Sequence, residues 1–227
     1  MKKYIIGMSF LLLAFAGCQD KALNVESVTL SEKDDKWTID IRYPVFSSSD
    51  EAVNSSCALL NQKIQQFIAD LHHNTKTEAD KLFESIDKEG MDPPNWKYEL
   101  YVKDSVFMAA GKYISVRLLA YSFTGGAHGM TRFYTFNYDV KNQKLLTNDD
   151  IFNKAEAAEV NTQLKTKFNN PSNCLSTVPT LELASVVNFN RNDVCFTYEH
   201  YVLGAYACGY YETSVPRKEL KRSLLLK

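Results

Sequence analysis

The spacing of apolar residues changes period at Ser47-Ser48-Ser49-Asp50, and this change constrains the fold more than any other feature of the chain. Before it, Trp37, Ile39, Ile41 and Tyr43 alternate with Thr38, Asp40 and Arg42, the period-two pattern of a half-buried strand. After it, Ala52, Leu59, Leu60, Ile64, Phe67, Ile68 and Leu71 recur at three- and four-residue spacing and give a helix one apolar face. The serines and Asp50 supply N-cap oxygens between the two patterns. The helical pattern reaches about Glu89. Thr75-Lys76-Thr77 marks a place for a kink or break, and Gly90 and Pro93-Pro94 end it.

Ahead of both patterns, Val25 to Leu30 reads as a strand, and beyond them residues 96–140 read as an antiparallel meander. Tyr98, Leu100 and Val102 alternate with polar residues, Tyr113 to Phe123 is rich in β-formers, and Thr131 to Val140 sets Phe133, Thr135 and Asn137 against Arg132, Tyr134, Phe136 and Tyr138. Thr147-Asn148-Asp149-Asp150 opens a second helix, with Ile151, Phe152, Ala155, Val160, Leu164 and Phe168 as its stripe and Asn169-Asn170-Pro171 as its stop. Val186 to Phe189, Val194 to Tyr198 and Thr213 to Val215 read as strands. Pro216 then opens a C-terminal helix whose Leu220, Leu224 and Leu225 face inward. The expected fold is α+β: a mainly antiparallel sheet with a long N-terminal helix, a second helix and a C-terminal helix packed on it.

The first residues give an address. Lys2 and Lys3 precede an apolar run from Ile5 to Phe15. A membrane-spanning helix needs roughly 20 apolar residues, so this shorter run is expected to be a secretory signal. It ends in Phe15-Ala16-Gly17-Cys18, small residues before a cysteine as in a bacterial lipobox. The expected organisation is a signal peptide over 1–17, a lipidated Cys18 with a polar tether to residue 26, and an envelope domain over 27–227, either whole or divided into 27–95 and 96–227. The expected place is the cell envelope, with the membrane reached through the N-terminal lipid. A net charge of −1 without a basic stripe argues against nucleic acid as a partner.

Of the five cysteines, Cys57, Cys174, Cys195 and Cys208 remain beyond Cys18. An exported domain permits disulfides, and four cysteines allow three connectivities. Cys195–Cys208 is the expected pair, on the reasoning that Phe196 to Ala207 folds back as a hairpin and sets them opposite one another. No Cys/His spacing points to zinc, and His72 and His73, being adjacent, point about 100° apart on a helix. No cofactor or metal is expected.

Three segments together carry a resemblance. They are Tyr121-Ser122-Phe123-Thr124-Gly125-Gly126-Ala127-His128; then Asn137-Tyr138-Asp139 with Lys144-Leu145-Leu146-Thr147-Asn148-Asp149-Asp150-Ile151-Phe152; and Phe196-Thr197-Tyr198-Glu199-His200-Tyr201 followed by Tyr206-Ala207-Cys208-Gly209, Val215-Pro216 and Glu219-Leu220. In this order they resemble the paired domains of unknown function found in lysozyme-sensing anti-sigma factor ectodomains and preceding the catalytic domain of some peptidoglycan deacetylases. The resemblance covers roughly residues 25–225. It implies an α+β envelope domain that binds something, peptidoglycan or a lysozyme-like muramidase, and it does not imply an enzyme, because a separate domain carries catalysis in the deacetylases.

His128 is the one candidate for acid–base chemistry, with Glu199 or Asp139 to orient it in a hydrolase or deacetylase-like enzyme. Against that, Gly125, Gly126 and Gly129 suit a tight loop that His128 simply packs against. Ser122 and Thr124 lack a nucleophile elbow. Helix capping accounts for Asp149 and Asp150 better than calcium does. A structural subunit of an envelope complex is the third reading. The tyrosines crowded between Tyr198 and Tyr211 are the stronger lead, since exposed tyrosines offer rigid amphipathic surface to a protein or a glycan. The expected ligand site therefore combines Thr124, Gly125, Gly126 and His128 with Tyr198, Tyr201 and Tyr206.

Overall fold

The computed structural model describes residues 22–226; the expected signal peptide and Cys18 lie outside them. The α+β expectation holds. Nine strands are described: β1 (Asn24–Lys33), β2 (Trp37–Ser47), β3 (Tyr98–Ala109), β4 (Tyr113–Phe123), β5 (Met130–Asp139), β6 (Lys144–Leu145), β7 (Val186–Phe189), β8 (Asp193–Tyr198) and β9 (Tyr211–Pro216). The α-helices are α1 (Glu51–Lys88), α2 (Asn148–Ile151), α3 (Ala157–Lys167) and α4 (Arg217–Leu220). β1 to β6 form one sheet in chain order, and β7-β8-β9 form a second.

All strand pairings are antiparallel except β2 with β3, which run parallel from Trp37↔Tyr98 to Ile41↔Val102. A parallel pair needs a long crossover, and α1 supplies it. Asp50 caps its start by accepting a hydrogen bond from the Val53 amide at 3.0 Å. Its end is a Schellman motif: Gly90 at φ +65°, its N–H on the Asp87 carbonyl and the Met91 N–H on the Ile86 carbonyl. The helix runs unbroken through Thr75-Lys76-Thr77. Cys57, Leu60, Ile64 and Ile68 press its apolar face onto Ile39, Ile41, Leu100, Val102, Ile114, Val116, Leu118 and Tyr138, which makes the first core.

On the opposite face of the six-stranded sheet, the odd-numbered side chains of β4 and β5 meet the second sheet through polar groups. Ser115 donates to the Asn137 side-chain oxygen at 2.7 Å. The Asn188 amide bonds Ser115 Oγ at 3.0 Å and Thr135 Oγ1 at 2.8 Å, and the Asn137 amide bonds the Val187 carbonyl at 2.7 Å. Arg117 crosses the same seam to Thr197 at 2.6 Å and to Glu212. Ser115, Asn137, Asn188 and Thr197 are all buried, so these bonds set how the two sheets register. Beyond the second sheet lies a second core, where Val160 and Leu164 of α3 and Leu220 of α4 pack on Val194, Phe196, Tyr198 and Val215.

Two sequence expectations change in detail. The helix expected from Thr147 breaks into α2, a 3-10 turn at Lys154–Glu156 and α3. Phe152 turns extended to bridge Leu224, and the Asn153 side chain then accepts from the Ala155 amide to start the chain afresh. The C-terminal helix is short and passes into a 3-10 turn at Lys221–Ser223.

Candidate functional site

The β4–β5 loop, residues 124–129, is shaped by close approach to two aromatic rings. Gly125 stands at φ +94°, and a Cβ there would come within 2.5 Å of the Trp96 indole. A Cβ on Gly129 would come within 2.3 Å of the Tyr121 ring. Neither position admits a side chain unless the neighbouring ring moves, the Trp96 indole just before β3 or the Tyr121 ring of β4. The loop therefore lies flat against Trp96 and Tyr121 and turns His128 outward.

The β8–β9 connection, residues 199–210, is pinned from several sides. The Ser176 and Thr177 amides both bond the Leu203 carbonyl, and Leu175 bridges Gly204. Cys174 and Cys208 form a disulfide with Cα atoms 5.6 Å apart. The expected Cys195–Cys208 pair is thus corrected. Cys195 sits inside β8 opposite Asn188 and Ser214, whereas Cys208 lies in the 3-10 turn Tyr206–Cys208, beyond the ladder that ends at Tyr198↔Tyr211. Cys195 and Cys57 are free, and burial pushes the Cys195 thiol up to about 11.

These two segments meet. The His128 and Tyr206 rings stack with centroids 3.8 Å apart and planes 17° from parallel. The Tyr206 hydroxyl donates to the Gly129 carbonyl at 2.8 Å. His200 stacks on Tyr206 at 4.6 Å, and Tyr201 approaches it at 5.6 Å. Tyr201 is 58% exposed and holds a left-handed backbone at φ +69°, uncommon for an aromatic residue. Below the loop, Tyr121 pairs with Tyr101 of β3 at 5.9 Å. Burial, then Glu99, raises the pKa of both phenols.

Of the residues expected at the site, Gly125, Gly126, His128, Tyr201 and Tyr206 fall in this one region. Thr124 instead lines a cleft of about 240 Å³ between α1 and the sheet, with Glu78, Arg132, Leu71 and Leu100. Tyr198 belongs elsewhere. It is fully buried in the second core, its hydroxyl donates to the Thr180 carbonyl at 3.0 Å, and burial raises its pKa. β8 alternates Val194, Phe196 and Tyr198 inward, so this ring is the last core position of the strand rather than the first of the loop.

The carboxylates expected to orient His128 are engaged otherwise. Glu199 accepts from the Phe133 amide at 2.7 Å and from Arg132 at 2.9 Å. Asp139 accepts from the Asn142 backbone and side-chain amides. The His128 Nδ1 lies 3.0 Å from its neighbour's carbonyl at Gly129. Among the described residues, no group of three or more His, Cys, Asp or Glu is placed to hold a metal ion, and no helix is long and apolar enough to cross a membrane. Tyr101 and Tyr121 escape sequence reading because both sit at solvent-facing positions of strands whose inward residues carry the stronger apolar signal.

Residues 30–131 match the family described as deacetylase PdaC. Over that stretch the chain is PdaC-like. A curated relative, the peptidoglycan-N-acetylmuramic acid deacetylase PdaC of Bacillus subtilis, is 29% identical over 129 residues, 57% of this chain. The aligned region spans about a quarter of that enzyme's length (24%). Two crystal structures share the fold: a DUF3298 family member from Bacteroides fragilis (TM-score 0.68, 18% identity, 91% of this chain and 95% of that one) and a DUF3298 family protein from Pseudomonas aeruginosa (TM-score 0.59, 17% identity, 90% and 95%). The resemblance to domains that accompany peptidoglycan deacetylases thus holds.

Proposed function

We propose that this chain is a binding module of the bacterial cell envelope, anchored by lipid at Cys18, and that its ligand, peptidoglycan or a lysozyme-like muramidase, docks where the 124–129 loop meets the 199–210 connection. The observation that carries this reading is the His128–Tyr206 stack, which joins two loops on rigid sheets into one exposed aromatic surface. The similarity to a peptidoglycan deacetylase supports the envelope as its setting. The Cys174–Cys208 disulfide and the Tyr206–Gly129 hydrogen bond hold the rings in place before any ligand arrives, which lowers the entropy cost of binding.

The test is co-sedimentation of the full chain with purified peptidoglycan sacculi, alongside capture by an immobilised muramidase. Tyr201→Ala and Tyr206→Ala should each weaken whichever interaction is found by roughly 1–3 kcal/mol, as aromatic hot spots do. Full-strength binding by both variants would move the site elsewhere. Cys18→Ala should release the protein from the membrane fraction, and persistence there would remove the anchor from the proposal.

A further inference from the structure

We infer that the cleft between α1 and the six-stranded sheet is a binding site for a small aliphatic amine, taken up as its ammonium form. The cleft opens on the sheet face opposite Tyr101 and Tyr121, so this site is separate from the docking surface proposed above. Strand alternation makes it. Ala120 and Ser122 are successive α1-facing positions of β4, and their cross-strand partners include Arg132 of β5 and Leu100 of β3. Their short side chains leave the sheet surface low there. Tyr98, the α1-facing position before Leu100, and Tyr134, the one after Arg132, rise on either side. Leu71, Thr75 and Glu78, at four- and three-residue spacing, share the face of α1 that borders the gap. About 240 Å³ stays open between helix and sheet.

Two independent observations point to a ligand, and the second gives its charge. The first is a set of unpaired hydroxyls. Tyr98 is 8% exposed and lines the cleft, yet its hydroxyl forms no hydrogen bond with any described residue. A phenol so buried normally has a partner. The hydroxyls of Ser122, Thr124 and Tyr134 border the same space and are also without a hydrogen bond among the described residues. The second observation is unbalanced charge. Arg132 is matched by Glu199 at 2.9 Å, whereas Glu78 and Glu99 have no ion-pair partner among the described residues. Burial, then the Glu78 charge, raises the Tyr98 pKa, which sets this carboxylate near the unpaired phenol. An ammonium group brings one positive charge and three N–H donors. The charge answers Glu78, and the donors answer the hydroxyl oxygens. Leu71, Leu100 and Ala120 supply apolar contact for a short methylene chain. The volume falls below the roughly 300 Å³ at which sites for drug-sized ligands begin, so the ligand is small. A free amine and the end of a lysine side chain share this chemistry.

Isothermal titration of the full chain with n-pentylamine, n-pentanol and Nα-acetyl-lysine methylamide tests the inference. Pentylamine should bind, and pentanol, which has the same chain without the charge, should bind about tenfold more weakly or not at all. Glu78→Gln should lower pentylamine affinity by about tenfold, and Tyr98→Phe, which keeps the ring, by about fivefold. Glu84→Gln removes an exposed acid of the same helix outside the cleft and should change nothing. Unchanged urea midpoints would show that all three variants remain folded. Binding of the capped lysine alongside pentylamine supports the site and extends it to protein side chains, and binding of pentylamine alone supports it for free amines. Equal binding of amine and alcohol, or no binding of pentylamine at millimolar concentration, overturns the inference. So does pentylamine binding that ignores both Glu78→Gln and Tyr98→Phe, or that falls as much with Glu84→Gln as with Glu78→Gln.

Discussion

The ring of Tyr206 stacks on that of His128 at 3.8 Å, and the Tyr206 hydroxyl reaches back 77 residues to donate to the Gly129 carbonyl. This contact ties the β4–β5 loop of one sheet to the β8–β9 connection of the other. Tyr206→Phe keeps the stack and removes the hydroxyl bond to Gly129. It should cost about 0.5–1.5 kcal/mol of stability and speed hydrogen exchange locally in residues 124–129. Unchanged exchange there would mean that the loop is held by Trp96 and Tyr121 alone.

Tyr198 and Tyr201, three positions apart, should behave oppositely. Tyr198 is fully buried, so Tyr198→Ala should lower stability by about 3–5 kcal/mol, the range for deleting a large core ring. Tyr201→Ala removes an exposed ring and should stay within about 0.5 kcal/mol of the parent. Urea denaturation of the two variants reads both values, and similar losses would contradict the assignment of one ring to the core and the other to the surface.

The disulfide makes a chemical prediction. Peptide mapping without reduction should show Cys174 linked to Cys208, with Cys57 and Cys195 free. Cys174→Ser should destabilise by roughly 3–4 kcal/mol on the chain-entropy account, and it should loosen the connection that carries Tyr201 and Tyr206. Recovery of a Cys195–Cys208 peptide instead would overturn the pairing.

Acid should expose the role of Asp150. Its hydrogen bond to Lys144, then its bonds to the Thr147 amide and hydroxyl, hold its carboxyl at about 2, well below the usual value. Because the folded pKa is the lower one, this contribution is fully present above the unfolded carboxylate range near 4 and is lost as pH falls through about 2. Asp150→Asn breaks the capping box and should cost about 1 kcal/mol at neutral pH. The gap from the parent should close as pH drops toward 2, and a gap independent of pH would refute the electrostatic part.

Much of the fold is legible in the sequence because burial leaves a period. Trp37, Ile39 and Ile41 announce β2, the three- and four-residue spacing from Ala52 announces α1, and Thr135 and Asn137 already stand apart from Phe136 and Tyr138 in β5. Long-range choices leave no such mark. The parallel pairing of β2 with β3 depends on where a 38-residue helix returns the chain. The partner of Cys208 depends on a loop at residues 170–176 brought in by the second sheet. The site is half legible for the same reason. Its glycines and tyrosines stand out by type, but the alternation that buries Tyr198 and exposes Tyr101 becomes visible only once each strand's inward face is fixed.

Hydrogen–deuterium exchange on the full chain, with and without solubilised peptidoglycan and, separately, a muramidase, tests the central claim most directly. The account predicts that the ligand which binds slows exchange in residues 124–129 and 199–210 together, with α1 unchanged. Protection confined to α1 or to the β1–β2 edge, with both loops exchanging as before, would contradict it.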